Sequence, residues 1–312
     1  KLDPILVDAA VQAGAELREN FTVKEVLWEK DRVVGICGHG KNGSMVAERA
    51  RITVGADGMF SVVAKAVQAP EYKGGPALEG SWYAYFSGVP MVGWHLWLRP
   101  GRVIFAYNTN DNLSLIGVAF AAKDLPMVRA NIEKHHSSVV AEHAPELWER
   151  MCAGKRESRY VGGAIPSHVR KPYGPGWALA GDAGYQKDPC TASGVTDAFS
   201  SAELLAEAID AGLSGRQPPE QALACYEQTR NQAELPYFDL TTQLSALEPP
   251  PAEVQQLLQA LCHNPEQRSR FFGVLAHTVP VTEFFSAQNI KAIFGTQKAA
   301  GAGHARAHSR GL

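Results

Sequence analysis

Paired cysteines are the first thing missing. The five thiols, Cys37, Cys152, Cys190, Cys225 and Cys262, are odd in number, widely spaced and without a C-x-x-C. That argues against a disulfide framework or a cysteine zinc site and fits a reducing cytoplasm. An excess of one charge is missing too: 30 basic against 32 acidic residues leave a net -2, so no whole-chain field points to nucleic acid or an anionic membrane. No apolar run approaches the roughly 20 residues of a membrane span. His135, His136 and His143 lack metal-ligand spacing such as H-E-x-x-H; a solvated helix face is expected for them, and no metal. No solenoid-length repeat occurs. What remains is a chain of 312 residues, 45% hydrophobic, long enough for one large core or two packed domains. Its expected partner is a small-molecule substrate, with a homo-oligomer left open.

The elements read as α/β. KLDPILVDAAVQAGAEL has apolar residues at helical spacing and an Asp-Pro start. Phe21 to Leu27, Val33 to Cys37 and Ser44 to Val54 read as a short β-meander broken at turn residues. From Ser81 to Phe120, four aromatic and β-branched runs, SWYAYFSGV, GWHLWL, RVIFAYN and SLIGVAF, predict an antiparallel sheet. Residues 124 to 150 read as helical, Tyr160 to Ile165 returns as a strand, and most of the chain from Val195 onward is helical. The tail from Gly295 is small and polar, and disorder is expected there.

Two junctions share one design. Ile52 to Val54 runs into Gly55-Ala56-Asp57-Gly58, and Trp177 to Ala180 runs into Gly181-Asp182. In each, an apolar strand ends at an acid, where a carboxylate can accept hydrogen bonds from ligand hydroxyls. After the second comes a helix whose stripe is read as Val195, Ala198, Phe199, Ala202, Leu205, Ala206 and Ile209, with Asp197, Ser200 and Glu203 facing away. Its first turn, Gly194-Val195-Thr196, offers unsatisfied N–H groups and the positive end of the helix dipole.

GDAGYQKDPCTASGVTDAF resembles the G-D-x-x-x-x-x-x-P-x-x-x-x-G motif of flavoprotein hydroxylases related to para-hydroxybenzoate hydroxylase, and VGADGMFSVV resembles their Asp-Gly element. The ordered motifs carry the resemblance from about residue 1 to 230, closest to FAD-dependent monooxygenases or oxidoreductases with stretches like LDPILVDAA and NTNDNLSLIGVA. It implies a Rossmann-like FAD-binding domain with an inserted antiparallel substrate sheet and a helical C-terminal region. By that resemblance residues 1–70 and 166–230 belong to the FAD domain, 71–165 to the substrate domain, 231–294 to the helical region and 295–312 to the tail.

The same resemblance implies roles. Gly181 and Asp182 would hold the ribityl chain, Pro189 would shape the loop beside the isoalloxazine, and Gly194, Val195 and Thr196 would face its N1–C2=O edge. Asp57 and Gly58 would sit near the pyrophosphate and ribityl region. FAD is the implied cofactor and NAD(P)H the implied reductant, serving hydroxylation or epoxidation. Thr196 replaces a common Asn, and Ala64 a common Arg. The largest departure is the absent G-x-G-x-x-G strand-turn-helix, which in this family lies upstream. A missing N-terminal segment, and weak FAD binding by this chain alone, are therefore expected.

Trp82, Tyr83, Tyr85 and Trp94 are the candidate substrate wall, against the plainer reading of sheet aromatics as core. Cys190 reads as a small packing residue. FFGVLAHTVPVTEFF, 271 to 285, is expected to cover the sheet or a dimer contact. Alternatives stay open: a related reductase, a halogenase, to whose W-x-W-x-I-P element WHLWLRP is only loosely alike, and a non-catalytic remnant.

Overall fold

The computed structural model describes residues 2–295; the expectation of a disordered tail concerns residues 296–312, which lie outside the described residues. The chain forms two compact units. Of the described residues, one gathers 2–72, 169–185 and 198–228, and the other 73–168, 186–197 and 229–295. Among the described residues no helix is long and apolar enough to cross a membrane.

In the first unit, strands Thr22–Glu29, Arg32–His39 and Met45–Arg49 form the antiparallel meander. The string Gly38-His39-Gly40-Lys41-Asn42-Gly43 matches G-x-G-x-x-G letter for letter but forms a hairpin turn, closed by Gly40 N–H to Ser44 O at 3.1 Å and Gly43 N–H to Gly40 O at 2.9 Å. No helix follows it, so it builds no phosphate cradle. Gly38 is needed for another reason: a Cβ there would lie 2.4 Å from the Thr22 carbonyl oxygen.

Thr53–Gly55 pairs in parallel with Trp177–Leu179, and Tyr173–Gly174 flanks the latter antiparallel. The central strand is buried on both faces, which explains its unbroken apolar run. Trp177 and Leu179 pack with Val26, Val33, Val63 and Ala64. Ala178 and Ala180 pack on the other side with Leu205, Leu223 and Tyr226. The opening helix, Leu2–Gln12, has no buried residue, so its apolar stripe has no covering partner among the described residues.

The second unit is built on a six-stranded antiparallel sheet. Its main path runs Lys155–Arg156, Glu79–Ser87, Ser114–Ala121, Arg102–Asn108, Trp94–Arg99, and Val161–Gly163 also pairs with Glu79–Ser87. One face, through Phe86, Ile104, Ile116, Val118 and Phe120, packs against helices Leu125–Ala130, Ile132–His143 and Pro145–Ala153. His136 is the surprise in that layer. It was expected on a solvated face, but it is fully buried, with Nε2 3.3 Å from the Ile116 carbonyl and Nδ1 3.4 Å from the Tyr160 hydroxyl. Burial holds its imidazole down at about 4 and thus neutral at pH 7.

The segment 271 to 285 builds a core of its own rather than covering the sheet. Val274 and Phe284 pack with Leu257, Ala260, Leu261 and Ile293, and with Tyr237 and Leu240 of helix Pro219–Ser245.

Candidate functional site

In the first unit the two acid-ended strands lie side by side. Thr53, Val54 and Gly55 pair in register with Trp177, Ala178 and Leu179, and Ala180 N–H continues the ladder to Gly55 O at 2.9 Å. Both junctions therefore leave the same, carboxyl-terminal edge of the parallel pair, the edge at which open α/β sheets take ligands. Gly55 is required there: a Cβ would meet Val63 at 2.8 Å and Leu179 at 2.9 Å.

Asp57 accepts the Val62 N–H at 2.7 Å and the Val63 N–H at 3.4 Å, so it serves the start of helix Val62–Ala66. Gly58 follows at φ 77°, with open space where a side chain would be. Gly181, at φ 55°, donates its N–H to Ser201 Oγ at 2.8 Å, and half-buried Asp182 sits in the short turn Gly181–Ala183. Asp57, Gly58, Gly181 and Asp182 are thus brought to one edge.

In the second unit the segment 186–197 carries the remaining motif residues. Pro189 opens the turn Pro189–Thr191, capped by Asp188, whose side chain accepts the Cys190 N–H at 3.0 Å. Gly194, Val195 and Thr196 form the exposed first turn of the 20-residue helix Gly194–Leu213, and a Cβ on Gly194 would meet nothing within 4 Å. The stripe that this helix buries is not the expected one. Asp197, Ser201 and Leu205 are buried, while Val195 and Phe199 are about half exposed. Asp197 faces inward because the Lys187 ammonium meets it there.

That inward acid belongs to a cluster that pattern reading missed. Ligand atoms of Asp197, Glu234 and His277 lie within 4.8 Å of one another, a spacing that can hold a metal. Here a cation of the chain's own is in place: Lys187 pairs with Asp197 and stands 4.0 Å from Glu234. His277 Nδ1 lies 3.8 Å from Asp197 Oδ1 and stacks on Tyr237 at 3.8 Å between centroids. Burial, then Asp197, pushes Glu234 up to about 7; burial, then Lys187, pushes His277 down to about 4.

The four aromatic candidates do not share one wall. Trp82 is buried on the helix-covered face against Phe120. Tyr83 and Tyr85, by the alternation of strand Glu79–Ser87, stand on the opposite face, edge to face at 5.9 Å. Trp94 is on that face too, 5.5 Å from Tyr107, which the sequence reading did not single out. Phe105 lies flat on the same face over Gly117, where a Cβ would come within 2.2 Å of its ring. The phenols of Tyr83 and Tyr107 are raised, by burial first and then by neighbouring tyrosines, which keeps both hydroxyls neutral donors at pH 7. Trp97 faces the helix-covered core, so Trp94 and Trp97 do not form one element.

The chain's residues 1–235 match the FAD binding domain family. It belongs to that family. The FAD-binding reading of the two motifs holds with it. Digeranylgeranylglycerophospholipid reductase 1 of Methanopyrus kandleri is 26% identical over 223 residues, 67% of this chain and 56% of that protein. The chain spans about half the length of the curated relatives it matches. Among solved structures, the flavin-dependent brominase Bmp2 shares the fold at TM-score 0.75 and 20% identity, over 98% of this chain and 75% of that one. A flavoprotein/dehydrogenase from Cytophaga hutchinsonii does so at TM-score 0.75 and 18% identity, over 95% and 74%.

The residues fit the flavin-proximal part of FAD. Gly58 and Gly194 leave open the space that side chains would fill, and the Gly194 turn exposes backbone donors. The Gly38 to Gly43 hairpin gives the adenosine phosphates no such cradle.

Proposed function

We propose that this protein is a flavin-dependent monooxygenase that inserts oxygen into a small, largely neutral, ring-bearing substrate, with NAD(P)H as reductant. The observation that supports it most is the register of the two acid-ended parallel strands, which sets Asp57-Gly58 and Gly181-Asp182 at one sheet edge. When bound, FAD supplies the redox chemistry, accepting a hydride equivalent from a nicotinamide and passing electrons to O₂. Asp182 accepts hydrogen bonds from ribityl hydroxyls, and Gly58 lets the chain approach the cofactor closely. Pro189 fixes the loop beside the ring. The N–H groups of the Gly194-Val195-Thr196 turn stabilise negative charge at the ring edge.

Substrate is held by the open face of the second unit's sheet, where Phe105, Leu96 and Trp94 offer apolar area and exclude water. The hydroxyls of Tyr83, Tyr85 and Tyr107 donate to a substrate oxygen. Among the described strand residues of that face the cation is Lys155, on the outer strand opposite Ser87 and paired with Glu157, so the stretch around Phe105 and Tyr107 suits a neutral oxygen better than a carboxylate.

A second reading, a reductase of a long apolar chain, is favoured by one observation. Trp94, Leu96 and Leu98 leave 53%, 44% and 65% of their surface exposed along one side of an edge strand, an apolar track that an extended hydrocarbon would cover. The Methanopyrus relative, a reductase of a phospholipid by its name, agrees with that. Turnover under ¹⁸O₂ separates the two: one labelled atom in the product supports the monooxygenase, whereas anaerobic formation of a saturated product at an equal rate replaces it with the reductase. Flavin placement has its own test. Asp182→Ala is expected to weaken FAD affinity by about 1.5–3 kcal/mol, measured by quenching of flavin fluorescence, with circular dichroism unchanged; unchanged affinity removes Asp182 from the site.

A further inference from the structure

The parallel strand pair of the first unit has two edges, and the acid-ended junctions use one of them. Ile52 and Gly176 stand just before Thr53–Gly55 and Trp177–Leu179, at the other, amino-terminal edge, where Thr53 N–H donates to Gly176 O at 2.9 Å. A cavity of about 580 Å³ opens there, within the roughly 300–1,000 Å³ of small-molecule sites. Its floor is apolar, lined by half-buried Ile52 and Ile209 and by buried Leu223, with Tyr173 as an aromatic wall. Hydrogen bonds fix the frame. Val33 N–H donates to Pro175 O at 3.0 Å, and Gly176, at φ 78°, lies so close to that strand that a Cβ would come 1.9 Å from the Val33 carbonyl oxygen. The fold thus builds this cavity from backbone that is held in place.

Positive charge gathers at the same place. Arg32, Arg51 and Lys171 all line the cavity, and none of the three is in an ion pair among the described residues. Arg32 donates to the Arg51 carbonyl oxygen at 2.9 Å, and the Lys171 ammonium stands 5.1 Å from the centroid of the Tyr173 ring. Glu220 is the acid of the lining, which leaves an excess of two positive charges. Guanidinium groups grip a carboxylate or a phosphate through paired N–H donors, and covering the floor removes apolar surface from water. Both features are met by an anion with an apolar body.

We propose that this cavity is a binding site for a small amphiphilic anion. Its carboxylate or phosphate head is held by Arg32, Arg51 and Lys171, and its hydrocarbon body lies on Ile52, Ile209 and Leu223. Arg32 and Arg51 are exposed while Leu223 is buried, so the head lies outward and the body inward. That arrangement takes a free molecule; a lipid would have to draw its tail out of a bilayer to fit. The site lies at the sheet edge opposite Asp57 and Asp182 and is independent of the flavin reading.

The experiment is isothermal titration calorimetry of the 312-residue chain with octyl phosphate, octanoate, inorganic phosphate, octanol and octyltrimethylammonium, each below its micelle concentration. The better of the two octyl anions is expected to bind one site about tenfold or more tighter than inorganic phosphate, octanol or the octyl cation, and which anion is better names the head. Arg51→Ala and Lys171→Ala are each expected to weaken it by about tenfold, the scale of a hydrogen bond to a charged group. Lys24→Ala, which removes an exposed cation of the same unit outside the cavity lining, is expected to leave it unchanged. Absence of binding by both octyl anions overturns the proposal, as does equal affinity for any of the other three probes. Arg51→Ala binding like wild type, or Lys24→Ala weakened as much as Arg51→Ala, overturns it too. So does displacement of the octyl anion by FAD, which would make the cavity part of the flavin site. Co-sedimentation with phosphatidylglycerol vesicles by a chain that binds neither octyl anion would assign the cations to a membrane surface instead. Should a variant fail to fold, the ligand series on the wild type still decides.

Discussion

Removing one ammonium from the second unit is expected to destabilise it sharply. Lys187 and Asp197 are each 5% exposed and meet as an ion pair, with Glu234 4.0 Å from the ammonium. Lys187→Met keeps most of the side-chain volume and deletes the charge, leaving the Asp197 carboxylate in a low-dielectric site. Breaking a buried pair in this way costs about 3–5 kcal/mol. The lower end, about 3 kcal/mol, is expected here because Glu234 stands at about 7 and can take up a proton, lowering the local negative charge. Urea unfolding at pH 7 measures the loss. The double variant Lys187→Met with Asp197→Leu removes both charges and should recover to within about 1 kcal/mol of wild type, since apolar replacement of a whole buried pair is often neutral. An independent readout is His277. Lys187 is one of the two causes holding its imidazole at about 4, so its NMR titration in Lys187→Met should move upward. A Lys187→Met protein within about 0.5 kcal/mol of wild type, with His277 unmoved, would refute the buried ion pair.

Two further outcomes follow from the geometry. Gly117→Ala places a Cβ 2.2 Å from the Phe105 ring and is expected to cost about 1–3 kcal/mol by overpacking; thermal unfolding checks it, and Phe105→Leu in the same chain should restore most of the loss. Glu234 binds its proton more tightly in the folded chain (about 7 against 4.5), so the stability it contributes is full below pH 4.5 and declines as pH rises to about 7. Glu234→Gln should lessen the fall in stability over that window by about 3 kcal/mol.

Where period and burial agree, the sequence alone is a good guide. The alternation in SWYAYFSGV by itself divides Trp82 from Tyr83 and Tyr85, and four strand-like runs from Ser81 to Phe120 become four strands of one sheet. The two strand-to-acid junctions are legible for the same reason, although that they lie side by side in register is a long-range fact without a local signal. Pattern reading fails where a polar residue has a distant partner. Hydropathy turned Asp197 outward, yet Lys187 draws it in. The Ile116 carbonyl does the same for His136. Tyr107 was passed over because its strand reads as core, and its place opposite Trp94 depends on pairing register.

One of these failures, Asp197, lies with its partner Lys187 in a short segment whose composition is informative. Between Gln186 and Asp197 the chain buries Lys187, Asp188 and Asp197, three charged side chains in one short segment. Stability does not require them, because apolar side chains of similar volume would serve a buried segment as well or better. What the charges add is direction. An ion pair and a capped turn each fix an angle that apolar contacts leave loose. A segment held in this way keeps its backbone donors and its Pro189 in one geometry whether or not anything is bound. Rigid placement of that kind suits a surface that must stabilise charge as it develops on a bound ring, since donors already aimed need no reorganisation when the charge appears. The cost is a segment sensitive to single charge deletions, which is the sensitivity that the Lys187 variant measures.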